Sequence, residues 1–286
     1  GAMTDLRKTD REKLENHFKI GRLTKLKVEI SRDGSRKYLF GLNDGQRIES
    51  VLIPERDHHT LCISTQVGCA LGCRFCLTGK GGFVRNLGQG DIIAQVRDIQ
   101  KELSKPALLT NIVLMGMGEP LYNFENVRDA MKIAMDAEGI QLSRRRITLS
   151  TSGVVPEIER TAEEIGCLLA VSFHATTDEV RNRLVPINKR WNIAELLDAL
   201  REYPKVSNSE RITFEYVMLD GVNDTDEDAH RLIKLIDGIP AKINLIPFNE
   251  WPGAPYERSD WARIKAFADI VHKAGYASPI RTPRGE

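Results

Sequence analysis

Residues 61–76 read Leu61-Cys62-Ile63-Ser64-Thr65-Gln66-Val67-Gly68-Cys69-Ala70-Leu71-Gly72-Cys73-Arg74-Phe75-Cys76. An apolar strand candidate, Leu61–Val67, runs directly into cysteines at positions 69, 73 and 76. This C-x3-C-x2-C spacing places three soft sulfur donors on one tight loop, and such donors select zinc or iron–sulfur clusters. A structural zinc site wants four ligands, usually as two paired half-sites. No second C-x2-C occurs, so zinc would need Cys62, Cys167, His58 or His59 as its fourth ligand. A [4Fe–4S] cluster held by three thiolates instead leaves one iron open to a small-molecule chelator. Three buried, unliganded thiols are the remaining alternative.

On the carboxyl side of the loop, strand candidates recur at Asn111–Met115, Arg146–Ser150, Leu168–Phe173, Arg211–Met218 and Lys242–Ile246. Helical periodicity fills the gaps. Gly90-Asp91 opens one helix with Ile92, Ile93, Val96, Ile99 and Leu103 on a single face, and Phe124, Val127, Met131 and Ala134 repeat the spacing. Further helices are expected over 156–165, 193–202, 225–236 and 260–274. On the amino side the period shifts to two. Lys25–Ile30, Tyr38–Phe40 and Arg47–Ile53 are separated by the turn signals Asp33-Gly34 and Asn43-Asp44-Gly45. Residues 4–20 are charged, with Leu6, Leu14 and Phe18 as sparse apolar positions, and predict a short helix.

These patterns predict an α/β chain: a partial (β/α)6 barrel preceded by a small antiparallel β extension. The boundaries read as an expression scar at 1–3, the helix and β extension at 4–55, and the barrel at 56–286. In parallel α/β folds chemistry sits at the carboxyl ends of strands. The cysteine loop follows the first barrel strand, so it falls where a catalytic site belongs.

The 286 residues are 41% hydrophobic and 28% charged, which excludes disorder, collagen-like repeats and a disulfide-stapled miniprotein. No run approaches about 18 apolar residues, so no transmembrane helix is expected. A net charge of +1 implies no strong field toward nucleic acid, though a local basic patch is compatible with it. Five cysteines is an odd number, and no signal peptide precedes them. Both features predict a reducing cytoplasm with cysteines kept as thiols or metal ligands.

The cysteine spacing resembles that of the radical S-adenosylmethionine (AdoMet) superfamily. Gly116-Met117-Gly118-Glu119-Pro120, closing the second strand candidate, resembles that family's glycine-rich turn for the AdoMet amino group. Further stretches narrow the likeness: Leu61–Cys69, Gly82–Leu87, Met115–Pro120, Leu149–Val155, Ser172–Ala175 and Asn244–Asn249. Together they resemble the RlmN/Cfr family of RNA adenine methyltransferases over nearly all of residues 47–286. The resemblance implies a radical AdoMet partial barrel with a [4Fe–4S] cluster on Cys69, Cys73 and Cys76. It implies AdoMet contacts from Gly118, Glu119, Ser150, Ser172, Phe173, His174 and Asn249, with Phe75 packing on the adenine. The implied substrates are an adenosine of 23S rRNA and one of tRNA. An electron donor such as flavodoxin, no membrane and a monomeric state complete the expectation.

Carbon 2 or 8 of adenine is not nucleophilic, so polar methyl transfer should fail. The resemblance implies a methyl-carrying cysteine, a radical addition that crosslinks protein to RNA, and a resolving cysteine that releases the product by forming a disulfide. Cys62, seven residues before the first ligand, matches the resolving thiol, and Glu49 matches the proton acceptor. The methyl-carrying cysteine has no match: the family places it beyond an Arg-Gly-acidic segment, and here the sequence reads Arg284-Gly285-Glu286 with no cysteine after Cys167. The expectation is a chain trimmed at both ends, able to bind cluster and AdoMet but not to complete transfer. C2 methylation is expected over C8.

Each assignment has a plainer alternative. Glu49 reads equally as a solvated strand residue, His174 as a structural histidine, and the serines as helix caps. Cys167 reads as a buried thiol. Arg144-Arg145-Arg146, Arg181, Arg183, Lys189, Arg190, Lys80 and Arg85 are candidates for RNA phosphates or for an ordinary charged surface. A non-catalytic iron–sulfur or zinc module that binds RNA is the reading from a different class.

Overall fold

The computed structural model describes residues 5–17, 21–105, 109–204 and 211–281. The expected scar at 1–3, Phe18 and the Arg284-Gly285-Glu286 segment lie outside them. Eleven strands and nine α-helices are described: α1 (Lys8–His17), β1 (Thr24–Ile30), β2 (Arg36–Gly41), β3 (Arg47–Pro54), β4 (His59–Cys62), β5 (Gln66–Gly68), α2 (Leu77–Lys80), β6 (Phe83–Asn86), α3 (Gln89–Gln100), β7 (Leu109–Leu114), α4 (Phe124–Met135), β8 (Ile147–Thr151), α5 (Val155–Glu164), β9 (Leu168–Ser172), α6 (Asp178–Leu184), α7 (Ile193–Glu202), β10 (Ile212–Met218), α8 (Asp226–Leu235), β11 (Ala241–Pro247) and α9 (Trp261–Lys273).

Nine strands form one sheet in the order β1-β2-β3-β4-β7-β8-β9-β10-β11. The first four pair antiparallel, and β4 onward pair parallel. Six consecutive β/α units in unpermuted order are the architecture of a partial (β/α)6 barrel, joined edge to edge with the antiparallel extension. Residues 277–280 continue the sheet as isolated parallel bridges to β11, Lys242 with Ala277 and Leu245 with Ile280. Among the described residues no helix is long and apolar enough to cross a membrane.

Burial follows the sequence patterns. On α4, Phe124, Val127, Ala130, Met131 and Ala134 are buried, and on α3 Ile92, Val96 and Ile99 are. Burying each large side chain contributes about 1.5–3 kcal/mol. All seven residues of β10 are buried, as a parallel strand covered on both faces requires. Capping boxes start α7 (Asn192 with Glu195) and α8 (Thr225 with Asp228).

One element departs from its sequence pattern. The expected strand Leu61–Val67 is split into β4 and β5. Ile63 still donates to the Val113 carbonyl, but the Ser64 amide turns to the Gln95 side chain at 2.9 Å. The Ser64 hydroxyl donates to the Glu49 carbonyl at 2.6 Å. With its ladder partners replaced by side chains, the strand leaves the sheet, and β5 pairs with β6 as a separate hairpin. The turn carrying the cysteines is therefore set on that hairpin, above the sheet's carboxyl edge.

Candidate active site

The cysteine loop is pinned at each end. The Cys69 amide donates to the Gly82 carbonyl at 2.8 Å, closing the β5–β6 hairpin. Arg74 donates its amide to the Leu184 carbonyl at 3.0 Å, tying the loop to the end of α6. The Trp251 indole donates to the Phe75 carbonyl at 3.3 Å. These bonds bring Cys69, Cys73, Phe75 and Cys76 to the wall of a cavity of about 240 Å³. Gly118 and Glu119 enter it from the turn after β7, Ser150 from β8, and Ser172 and His174 from the end of β9.

Burial sets the electrostatics. It pushes the Cys69 thiol up to about 11 and the Cys73 thiol to about 12, with repulsion among the thiols and from Glu119 adding to the shift. A coordinated metal would reverse this preference by holding the thiolates. The Glu119 carboxyl, 2% exposed, is raised to about 7 by burial. It is partly compensated by the amides of Leu121 (3.2 Å) and Ser152 (2.8 Å), so it also staples two strand-end turns together.

His174 adopts the left-handed conformation, φ 58°. Its ring meets Phe75 edge-on at 4.7 Å between centroids. Burial, and then the nearby Arg181, lowers its pKa to about 3. The neutral ring accepts the Val217 amide at Nδ1 (3.1 Å), which leaves the proton on Nε2.

Three thiols on one loop, facing a cavity whose wall also carries Glu119, Ser150, Ser172 and His174, suit a [4Fe–4S] cluster whose fourth iron takes a small-molecule ligand. Among the described residues, no three Cys, His, Asp or Glu side chains are grouped to share one metal ion. Three thiolates on one loop match a cluster that keeps one iron open, whereas a structural zinc would need a fourth ligand.

The family model described as the Radical SAM superfamily matches residues 63–233. A dual-specificity RNA methyltransferase RlmN of Paracoccus denitrificans (strain Pd 1222) is 67% identical over 99% of this chain and 75% of its own length. One from Jannaschia sp. (strain CCS1) is 68% identical over 100% and 76%. This chain belongs to the RlmN family of the radical SAM superfamily. The crystal structure of a radical SAM methyltransferase from Sphaerobacter thermophilus superposes with a TM-score of 0.91 at 44% identity, covering 99% of this chain and 84% of that one.

The remaining residues expected from the RlmN/Cfr pattern lie around this cavity rather than on its wall. Cys62 pairs with Val51 and Val113 on the neighbouring strands, and its thiol, raised to about 11 by burial, is contacted by the Met115 backbone. Glu49 lies two residues from Val51 on the same face of β3, so it shares the Cys62 side of the sheet. Its carboxylate is 45% exposed and 3.6 Å from the Lys37 ammonium. Phe173 is buried, edge-on to Phe214 at 5.4 Å, in the core rather than on the cavity wall. Asn249 is exposed beyond β11, and Ile246 is the residue of that strand on the wall. All five cysteines are free thiols, and Cys167 is buried.

Arg181, read from sequence as a phosphate candidate or an ordinary surface charge, is instead fully buried. It donates to the carbonyls of Phe173 (3.0 Å), Ser152 (2.8 Å) and Ser172 (3.0 Å) and to Asn188 (2.8 Å). Among the other basic residues, Lys80 sits over the Trp251 ring at 4.8 Å, and Arg85 pairs with Asp44 at 2.6 Å. Asn223 was not anticipated: it donates to the carbonyls of His174 and Val217, each at 2.7 Å, and fixes the histidine backbone. Its only sequence signal is the polar Asp220–Asp224 turn after a wholly apolar strand end.

Proposed function

We propose that this chain is a radical AdoMet methyltransferase for carbon 2 of adenosine in 23S rRNA and tRNA. It works as a cytoplasmic monomer with an electron donor such as flavodoxin. The observation that carries the reading is the convergence of Cys69, Cys73, Cys76, Glu119, Ser172 and His174 on one cavity at the strands' carboxyl ends. A [4Fe–4S] cluster held by the three thiolates would supply the electron that cleaves AdoMet into methionine and a 5′-deoxyadenosyl radical, the chemistry that an unreactive ring carbon requires.

The chain's own residues bind and orient. Glu119, already desolvated, offers carboxylate oxygens to the AdoMet ammonium beside Gly118. Ser150 and Ser172 offer hydroxyls, and His174 offers its Nε2–H. Phe75 packs on the adenine, while Phe173 and Asn249 complete the binding set. Cys62 acts as the resolving thiol, and Glu49 accepts the proton lost from the adenine ring. Residues 4–55 form the extension that carries Glu49, and 56–286 form the catalytic unit.

Reconstitution with iron and sulfide under anaerobic conditions, followed by reductant and AdoMet, tests this reading. The readout is 5′-deoxyadenosine, expected from the loaded protein and lost in Cys73→Ala. A fully loaded protein that leaves AdoMet intact would overturn the reading. Mass spectrometry of the nucleoside modified by a full-length enzyme, against 2-methyl and 8-methyl standards, tests the position, and the 8-methyl product would overturn the C2 assignment.

A further inference from the structure

A second cavity of about 540 Å³ opens at the other end of the parallel strands. Its wall includes Thr60 of β4, Thr148 of β8, Leu168 of β9 and Lys242 of β11, each within the first two residues of its strand. Met115, Glu215 and Arg281 line this cavity and the cysteine-lined one alike. The two spaces therefore meet inside the curved sheet. Cys62 shares a sheet face with Thr60 and is paired with Val113, both on the wall of the amino-end cavity, so it lies beside that cavity.

The two ends differ in charge. The carboxyl end is walled by the cysteine loop with Phe75, which meets His174 edge-on and accepts from Trp251. The amino end carries Arg211, Lys242 and Arg281 against Glu55 and Glu215. Arg144, Arg145 and Arg146, immediately before β8, are exposed at the same end. A volume of this size lies within the about 300–1,000 Å³ of small-molecule sites.

Deep in the space sits a carboxylate with spare capacity. Glu215 is 5% exposed, and one oxygen accepts from the Asn244 amide at 3.0 Å. Its Oε2 is buried with no hydrogen-bond partner among the described residues. A buried acceptor of this kind is costly unless a ligand donor fills it. Adenine presents an exocyclic amino donor where guanine presents a carbonyl acceptor.

We propose that the target adenosine, extruded from its RNA, enters through the amino-end cavity, with Arg211 and Lys242 on flanking phosphates and Glu215 Oε2 accepting from the adenine amino group. The route rests on the RNA-methyltransferase reading above. It brings the base past Cys62 before it reaches the AdoMet cavity, and phosphates stay at the basic rim.

The test is equilibrium binding of a single-stranded RNA oligonucleotide with one central adenosine to the reconstituted, AdoMet-loaded protein at several salt concentrations. The double variant Arg211→Glu with Lys242→Glu should bind at least tenfold more weakly, and its salt slope should fall by about 1.4, at about 0.7 per lost phosphate contact. AdoMet affinity of that variant, by equilibrium dialysis, should stay at the wild-type value and so report an intact fold. Glu215→Gln should narrow the preference for the oligonucleotide over its guanosine counterpart about tenfold. Wild-type RNA affinity and slope in the double variant would overturn the proposal, as would loss of AdoMet affinity with RNA binding intact. Wild-type protein that does not bind the RNA at all would instead overturn the functional reading on which the route depends.

Discussion

The guanidinium of Arg181 donates to the Ser152 carbonyl at 2.8 Å, and so joins α6 to the turn after β8. The same side chain holds the Ser172 and Phe173 carbonyls at the end of β9. Burial lowers its pKa only to about 10, so it stays charged at neutral pH. Arg181→Met strands those carbonyls, at about 1–3 kcal/mol for each acceptor left unsatisfied. Arg181→Lys should recover only part of this, because an ammonium lacks the planar fork that meets several carbonyls at once. Urea denaturation midpoints of the two variants check the order. A lysine variant as stable as wild type would show that the fork is not what holds the site.

His174 predicts a pH dependence of stability. Its native pKa is about 3 against an ordinary 6.5, so between these values the unfolded chain takes up a proton that the native state refuses. Stability should therefore be complete above about pH 6.5 and fall as the pH drops below it, by about 1.4 kcal/mol per unit. Asn tolerates the left-handed backbone at this position. In His174→Asn, the difference from wild type between pH 4.5 and 6.5 should shrink at that slope as acid is added. Parallel curves from denaturation at several pH values would refute the assignment of a neutral buried ring.

The cysteines should divide sharply by substitution. Cys69→Ala, Cys73→Ala and Cys76→Ala each remove a thiol from the cavity wall and should abolish stable iron uptake. Cys167→Ala should leave iron content unchanged, because that thiol is buried among core residues on the opening of β9. Its cost should be about 1 kcal/mol of stability from the small void. Iron and sulfide assays after reconstitution decide both halves. Iron loss in Cys167→Ala with the fold intact would reassign the ligand set.

The fold was largely legible because each parallel strand carries its own apolar run and each intervening helix its own period. The cysteine loop, Glu119, Ser172 and His174 were legible because their residue types are chemically specific and follow strand ends. Three features were not. Arg181 sits in the charged run Asp178–Arg183, and nothing local distinguishes a guanidinium turned inward on backbone carbonyls from its solvated neighbour Arg183. The break after Cys62 depends on Gln95, 31 residues away, capturing the Ser64 amide. Glu215 lies in the buried run Ile212–Met218, where alternation marks it as inward-facing but not as keeping one oxygen without a partner. In all three, long-range contacts decide what a local pattern leaves open.

Gly68 lets the cysteine loop close. Its φ is 76°, and a Cβ there would lie 1.9 Å from the Gly82 carbonyl oxygen, the atom that accepts the Cys69 amide. An alanine cannot coexist with that bond, so the hairpin must open by more than an ångström at the residue before the first thiol. Gly72, in the same loop, has φ 64° with nothing within 4 Å of its Cβ position. Alanine there meets only the left-handed penalty of about 1–2 kcal/mol. Gly68→Ala should therefore lose most of its iron on reconstitution, while Gly72→Ala keeps its iron and is only modestly less stable. Circular dichroism separates loop opening from unfolding, since the nine-stranded sheet does not include the β5–β6 hairpin. Equal iron retention by both variants would mean that the hairpin does not set the spacing of the thiols.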